Sequence, residues 1–188
     1  MNSDIRRNLR KLGITLQPHQ EEARADAEQQ VQDGAYLRLC LYHATGKGKT
    51  IASLVCVAES GVHEVLVLAP PITHPGWRAW GEKLGIEVEA ISHAKFRQKG
   101  YKVSRLRPII VDEFHLLGGH TGQGWKKLDQ LARGLQAALV ICSATPNYND
   151  AERCYCIQHV LDPTSCRGGM IAFVRFTIAS MVLSAILS

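Results

Sequence analysis

The chain has 188 residues, 46% hydrophobic and 21% charged, which is typical of a globular protein with one substantial core. Its formal net charge of +5 favours an anionic partner without identifying one. Three of the six cysteines lie in apolar runs and residues 1–16 lack an apolar stretch of signal-peptide length, so we expect a cytoplasmic protein without a disulfide framework.

Apolar runs of strand length alternate with segments of helical pattern along the chain. The predicted strands are residues 37–42, 65–68, 88–91, 109–111 and 139–142. The predicted helices are residues 49–60, a segment that carries Trp77, Trp80 and Leu84 and ends at Gly85, and residues 125–135, which follow a glycine-rich loop at 118–124. Because continuous apolar strands are buried on both faces, the pattern predicts an α/β fold with a central parallel sheet flanked by helices.

A glycine-rich loop, HATGKGKT at residues 43–50, joins the first predicted strand to the first of these helices. Glycines let backbone N–H groups face a phosphate, and the helix N-terminus adds a partial positive charge. In such a loop Lys49 reaches the β- and γ-phosphates and the Thr50 hydroxyl ligates Mg²⁺, although His43 stands where the usual form has glycine or alanine. The residues expected to bind the nucleotide are Thr45, Gly46, Lys47, Gly48, Lys49 and Thr50.

Two adjacent carboxylates, Asp112 and Glu113, open the sequence DEFH after the predicted strand at 109–111. A carboxylate at the carboxyl end of a parallel strand lies beside the phosphate loop in such folds. We expect Asp112 to hold Mg²⁺ and Glu113 to orient and deprotonate the attacking water, with Lys49 as the third catalytic residue. Taken alone, the pair is also compatible with a solvated strand end.

The strand at 139–142 leads into Ser143, Ala144, Thr145 and Pro146. The phosphate loop, DEFH and SAT, in this order and each after a predicted strand, resemble the first, ATP-binding motor domain of DExH-type superfamily 2 helicases and translocases, over about residues 16–146. The resemblance implies a RecA-like P-loop NTPase domain at residues 1–165, with ATP and Mg²⁺ as cofactors and hydrolysis coupled to movement on DNA or RNA, with DNA favoured. Phage-encoded helicases are similar, which would place the protein in a host cytoplasm.

Further residue roles are implied by the resemblance alone. Gln20, in the segment LQPHQ, would hydrogen-bond the adenine edge; the alternative is an exposed face of an N-terminal helix. Ala69 and Pro70 would contact the nucleic-acid backbone, unless they only end a strand. The residues expected to couple nucleotide state to nucleic-acid grip are His115, Ser143 and Thr145.

Other side chains have competing interpretations. Trp77 and Trp80, one helical turn apart, can stack bases, but packing of a helix on the sheet is favoured. Lys126 and Lys127 can touch phosphates or form a solvated face, as can the N-terminal basic residues Arg6, Arg7, Arg10 and Lys11. Four residues could supply zinc ligands, but their spacing fits no standard zinc site, and reduced cysteines on a helix are favoured. The four residues are Cys154, Cys156, His159 and Cys166.

Residues 166–188 form an apolar tail in which Arg175 is the one charge after Met170. The tail could span a membrane, pack as a strand or helix, or be a non-native end from truncation or frameshift. We favour the last, and a membrane anchor is unlikely because Arg175 lies near the middle.

No sequence after Pro146 resembles the arginine motif of a second motor domain, which the family requires. The resemblance therefore implies a second motor domain supplied in cis or in trans. A non-catalytic nucleotide-binding or regulatory fragment of a helicase is the main alternative. A P-loop kinase is a third, against which the SAT motif and Gln20 argue.

Overall fold

The computed structural model describes residues 3–42, 46–103, 107–119, 121–134, 138–143 and 151–162. Within them the strands are β1 (Arg38–Tyr42), β2 (Glu64–Leu68), β3 (Glu87–Ile91), β4 (Ile109–Asp112) and β5 (Leu139–Ser143). The α-helices are α1 (Ser3–Lys11), α2 (Pro18–Gln32), α3 (Lys49–Glu59), α4 (His74–Leu84), α5 (His93–Arg97), α6 (Gln123–Gly134) and α7 (Ala151–Leu161). Short 3₁₀ turns follow β2 and β4, at Pro71–Thr73 and Phe114–Leu117.

All five strands pair in parallel in one sheet, in the order β1-β5-β4-β2-β3. The predicted α/β fold with a central parallel sheet flanked by helices is confirmed. Val65 and Val67 of β2 belong to one apolar core and Leu66 and Leu68 to another, which explains why this strand is apolar without alternation. Because the strands are parallel, their carboxyl ends meet at one end of the sheet.

Helices cover both faces of the sheet. The core on one face is built with α1, α2, α3 and α4, and includes Ile5, Leu54 and Trp77. The core on the other face is built with α5, α6 and α7, and includes Phe96 and Tyr155. The sheet is therefore held between two packed layers of helices.

Two predicted helix ends are confirmed. The helix that follows the glycine-rich loop at 43–50 ends at Glu59, and Gly61 has a left-handed φ of 77°. The helix that carries the tryptophans ends at Leu84, and Gly85 caps it with the same φ of 77°. A residue with a side chain rarely adopts this backbone conformation, so glycine is the natural residue at both places.

The predicted end of the glycine-rich loop, at residue 124, is wrong. Helix α6 begins earlier, at Gln123. Gly124 lies in the first turn of the helix, where an added Cβ would stand 2.7 Å from the carbonyl oxygen of Leu117. This glycine lets the helix approach the preceding turn closely and does not mark a loop.

Helices α1 and α5 were not predicted from the sequence. With five residues, α5 is too short to show a helical period, and its start is fixed locally by the Ser92 hydroxyl, which accepts a hydrogen bond from the Lys95 N–H at 3.1 Å. This short helix follows β3 at the carboxyl end of the sheet, where the predicted site residues also lie.

Across the described ranges, no helix combines the length and the apolarity that a membrane crossing needs. The apolar tail predicted at 166–188, and the domain boundary after residue 165, lie outside these ranges.

Candidate nucleotide site at the carboxyl end of the sheet

The glycine-rich loop leads directly into α3. Gly46 and Gly48 have φ values of 79° and 73°, and Gly48 is the residue that precedes the first turn of the helix. Since Gly48 has no side chain to cap the helix, the first N–H groups of α3 face the space ahead of it, where an anion is favoured. Lys49 and Thr50 occupy the first turn, as predicted. Thr45 and His43 lie outside the described residues.

Gln20 packs against this loop. Its amide nitrogen donates to the carbonyl oxygens of Lys47 and Gly48, both at 3.3 Å, and its amide oxygen accepts from the Gln17 N–H at 2.9 Å. The side chain thus caps α2 and holds the loop at the same time. With 6% of Gln20 exposed, the alternative of an exposed helix face is wrong, while the adenine contact stays a prediction.

A second residue of α2, His19, also contacts the loop and was not identified from the sequence. Its Nε2 lies 3.1 Å from the carbonyl oxygen of Lys47. The first turn of α2 therefore touches the loop at two adjacent residues. Both residues belong to the segment LQPHQ, in which the histidine lies directly before the glutamine.

Asp112 ends β4 and is buried among the neighbouring groups of the site. Burial raises the pKa of its carboxyl group, and the negative charge of Glu113 raises it further, while Lys49 and a hydrogen bond from the Trp77 indole lower it. The Ser53 hydroxyl contacts both the Lys49 carbonyl oxygen and the sulfur of Cys142, the strand partner of Asp112, so the loop and the acidic motif lie side by side. Two predicted catalytic residues, on segments far apart in sequence, are thus brought together.

Glu113 adopts a left-handed backbone conformation, with φ 51° and ψ 58°. Among the described residues it is the one residue other than glycine with a positive φ. Such a conformation costs on the order of 1–3 kcal/mol and is characteristic of functional sites. Its carboxylate lies 3.3 Å from Nδ1 of His115, and both side chains are partly exposed.

His93, at the start of α5, supports the acidic motif and was missed in the sequence. Its Nε2 lies 2.8 Å from the backbone carbonyl oxygen of Asp112, so the imidazole donates there. The ring is 4% exposed, and burial lowers the pKa of His93 to about 4, which keeps it neutral. A second contact fixes the other end of the helix, because Arg97 donates to the Leu116 carbonyl oxygen at 2.8 Å.

Ser143 ends β5, where it is 4% exposed, beside Asp112 in the neighbouring strand. The preceding residue, Cys142, pairs with Asp112, and its sulfur lies 2.9 Å from the Ser53 hydroxyl. That hydroxyl donates to the Lys49 carbonyl oxygen at 2.6 Å, so β5 is tied to the first turn of α3. The remaining predicted coupling residue, Thr145, lies outside the described residues.

The predicted nucleic-acid contacts after β2 differ in exposure. Ala69 is fully buried, its N–H donates to the Ile91 carbonyl at 3.0 Å, and its own carbonyl accepts from His74 at 2.9 Å. Pro70 is partly exposed, and Ile72 in the turn that follows is 89% exposed. Pro70 and the turn after it are therefore accessible for the predicted nucleic-acid contact, whereas the Ala69 side chain is not.

The tryptophans pack, as favoured from the sequence. Trp77 is 2% exposed within the core, so base stacking on this ring is wrong. Trp80 is packed against the same core, with the Lys83 Nζ 4.7 Å above its ring. On α7, Cys154, Cys156 and His159 lie on one helix, as favoured, whereas Cys166 is outside the described residues.

No family model matches the chain, and no curated protein matches it.

Proposed function

We propose that this chain is the first, RecA-like P-loop NTPase domain of a DExH-type nucleic-acid motor, and that it binds ATP with Mg²⁺. A second motor domain, in cis or in trans, completes it for ATP hydrolysis coupled to movement on DNA or RNA, with DNA favoured. The observation that carries the proposal is the pairing of a glycine loop ahead of α3 with two carboxylates at the end of β4, linked through Ser53 and the strand pair Cys142 and Asp112.

Phosphate binding follows from the loop and the helix. The N–H groups at the start of α3 and the Lys49 ammonium group both favour an anion at this position. In the proposed complex the loop surrounds the β-phosphate and Lys49 contacts the β- and γ-phosphates. Gln20 and His19 support the loop from α2.

The residues present fit a magnesium ion. Thr50 and Asp112 supply the oxygen ligands that this ion prefers. Burial and the Glu113 charge raise the pKa of Asp112, so an ionised carboxylate here is stabilised by an added positive charge. The ion would supply neutralisation of phosphate charge during transfer.

Glu113 is the proposed base that acts on water. Its left-handed backbone conformation sets it apart from the strand that ends at Asp112, so two consecutive carboxylates can serve different roles. Asp112 is the metal-side group, whereas Glu113 accepts a proton from the attacking water. His115 holds the Glu113 carboxylate from 3.3 Å and, with Ser143, is proposed to relay the nucleotide state to the nucleic-acid side.

Exposed apolar residues support a second domain over the carboxyl end of the sheet. Tyr42 is 40% exposed, Ile72 89% and Leu116 40%, and each follows or ends a strand at this end. A second domain packed on this end of the sheet would cover such side chains. Closure of such a domain would also bring an arginine to the γ-phosphate, worth about 10³-fold or more in rate.

The proposal is tested by ATP turnover with the chain alone, with single-stranded DNA or RNA, and with a supplied second motor domain. We expect slow turnover by the chain alone and stimulation by nucleic acid once the second domain is present. Glu113→Gln should keep MgATP binding and lose the stimulated turnover. Brisk nucleic-acid-stimulated hydrolysis by the monomeric chain would contradict the need for a second domain. Binding without turnover under every condition would support the non-catalytic fragment.

A further inference from the structure

A groove lies between the end of α5, the segment at 98–103 and α6, with a volume of about 620 Å³. It follows β3, which is the strand at the opposite side of the sheet from β1 and its phosphate loop. Among the described residues that line the groove, five are basic and none is acidic. The basic residues are Arg97, Lys99, Lys102, Lys126 and Lys127.

Lys127 and Arg97 build the groove. The Lys127 ammonium group donates to the carbonyl oxygens of Phe96 at 2.8 Å, Gln98 at 3.3 Å and Tyr101, and lies 5.0 Å from both aromatic rings. It therefore fastens the wall at 98–101 to α6, and the phosphate contact considered for Lys127 from the sequence is not its role here. Arg97 donates a hydrogen bond to the Leu116 carbonyl oxygen.

The other three cations, Lys99, Lys102 and Lys126, are exposed. They make no hydrogen bond or ion pair with any residue that the structure describes. The nearby carboxylate of Glu89 does not neutralise them, because it is bound by Arg107 and by the Tyr101 hydroxyl. Three like charges along one groove repel each other, and an anionic ligand removes that cost.

We propose that this groove, through Lys99, Lys102 and Lys126, binds the phosphate backbone of a nucleic-acid strand. The inference rests on the proposed function for the class of partner. Lysine, glutamine and tyrosine are among the residues that contact phosphate and sugar, and Gln123 and Tyr101 line the groove beside the lysines.

The groove is joined to the acidic motif by α5. His93 at one end of this helix donates to the Asp112 carbonyl, and Arg97 at the other end donates to the turn that follows Glu113. A nucleic-acid strand bound in the groove would therefore contact the region around α5, the helix that supports the proposed catalytic carboxylates. Backbone binding here gives the motor domain a contact with nucleic acid on the opposite side of the sheet from the glycine-rich loop that follows β1.

The test compares two variants that each lose three positive charges. The groove variant is Lys99→Gln, Lys102→Gln and Lys126→Gln; the control, on the exposed face of α1, is Arg6→Gln, Arg10→Gln and Lys11→Gln. Fluorescence anisotropy with labelled oligothymidylate and oligouridylate, over a range of salt concentrations, gives the affinity and its salt dependence for DNA and RNA.

For three lost contacts with a single strand, we expect the slope of log affinity against log salt to fall by about 2 in the groove variant. Its affinity at low salt should fall about 10-fold or more, while the α1 variant stays within about twofold of wild type. Wild-type affinity and slope in the groove variant would overturn the inference, as would an equal loss in the α1 variant, since that reports net charge alone.

Two controls separate this inference from the proposed function. MgATP affinity and the urea unfolding midpoint should be unchanged in both variants, because all six side chains are exposed and none forms a hydrogen bond or ion pair with a described residue of the glycine-rich loop. If wild type binds neither oligonucleotide, the groove inference and the nucleic-acid part of the proposed function both fail. If wild type binds and the groove variant binds equally well, the groove inference alone fails.

Discussion

Gln20 and Gly48 are packed so closely that any side chain at Gly48 would collide with the Gln20 amide. A Cβ built on Gly48 would lie 2.3 Å from the Gln20 Nε2, which itself donates to the Gly48 carbonyl oxygen. Gly46, two residues earlier, has a similar positive φ, but a Cβ there would meet nothing within 4 Å. Both glycines therefore avoid backbone strain, and Gly48 in addition leaves room for the Gln20 amide.

The first prediction concerns these two glycines. Gly46→Ala should cost roughly 1–2 kcal/mol of unfolding free energy, from backbone strain alone. Gly48→Ala should cost about 1–2 kcal/mol more, because the displaced Gln20 amide loses hydrogen bonds as well. Urea unfolding of the two variants measures the difference.

The same pair in a Gln20→Ala background provides the control. With the amide removed, the costs of Gly46→Ala and Gly48→Ala should agree to within about 0.5 kcal/mol. A gap that persists in this background would show that the contact between Gln20 and the loop does not explain the demand for glycine.

The second prediction concerns nucleotide selectivity. The contacts of Gln20 that the structure shows are with the loop and with its own helix. We therefore expect Gln20→Ala to weaken both MgATP and MgGTP binding, measured by calorimetry, because the loop loses this support. A loss confined to MgATP would instead support the adenine contact that the family resemblance implies.

The sheet and helix α3 were predictable from local sequence. Continuous apolar runs indicate the strands, and the glycine-rich loop indicates where α3 begins. The contact of Gln20 with the loop was not predictable, since it joins residues 28 apart in sequence and depends on how α2 docks. His93 was missed because α5 has only five residues. The strained conformation of Glu113 leaves no mark in the sequence, because glutamate is not a residue that turns favour.

The third prediction tests that strain. At an ordinary helical or extended position alanine is more stable than glycine by roughly 0.5–1 kcal/mol. At position 113 the order should reverse, so that Glu113→Gly unfolds at a higher urea concentration than Glu113→Ala, because glycine accepts the φ of 51° without strain. If Glu113→Ala is the more stable variant, the backbone at this position is not left-handed in solution.

The fourth prediction is a pH dependence of stability that comes from His93. Its folded pKa of about 4 lies below the unfolded value of 6.5, so between these values the unfolded chain binds the extra proton. This contribution to stability is complete above the unfolded pKa and is lost as pH falls toward the folded one. From about pH 7 to about pH 5 it amounts to about 2 kcal/mol.

His93→Gln isolates this contribution, because glutamine has no proton to gain. The unfolding free energy of the variant should fall less between the two pH values than that of wild type. The raised pKa of Asp112 has the opposite effect, because the unfolding free energy falls as this group ionises with rising pH. This effect is common to wild type and the His93→Gln variant, so it cancels in their comparison. Equal pH dependence in the two proteins would contradict the buried, neutral state of His93.

Calorimetric titration of MgATP into wild type and Lys49→Ala tests the proposed nucleotide site most directly. The control is Lys11→Ala, which removes one exposed lysine at the end of α1. Loss of the charge-assisted contact at Lys49 should weaken binding by roughly 1.5–3 kcal/mol, while the control binds like wild type. MgATP affinity in a folded Lys49→Ala protein equal to that of wild type would contradict the site, and with it the assignment of this chain as an ATP-binding motor domain.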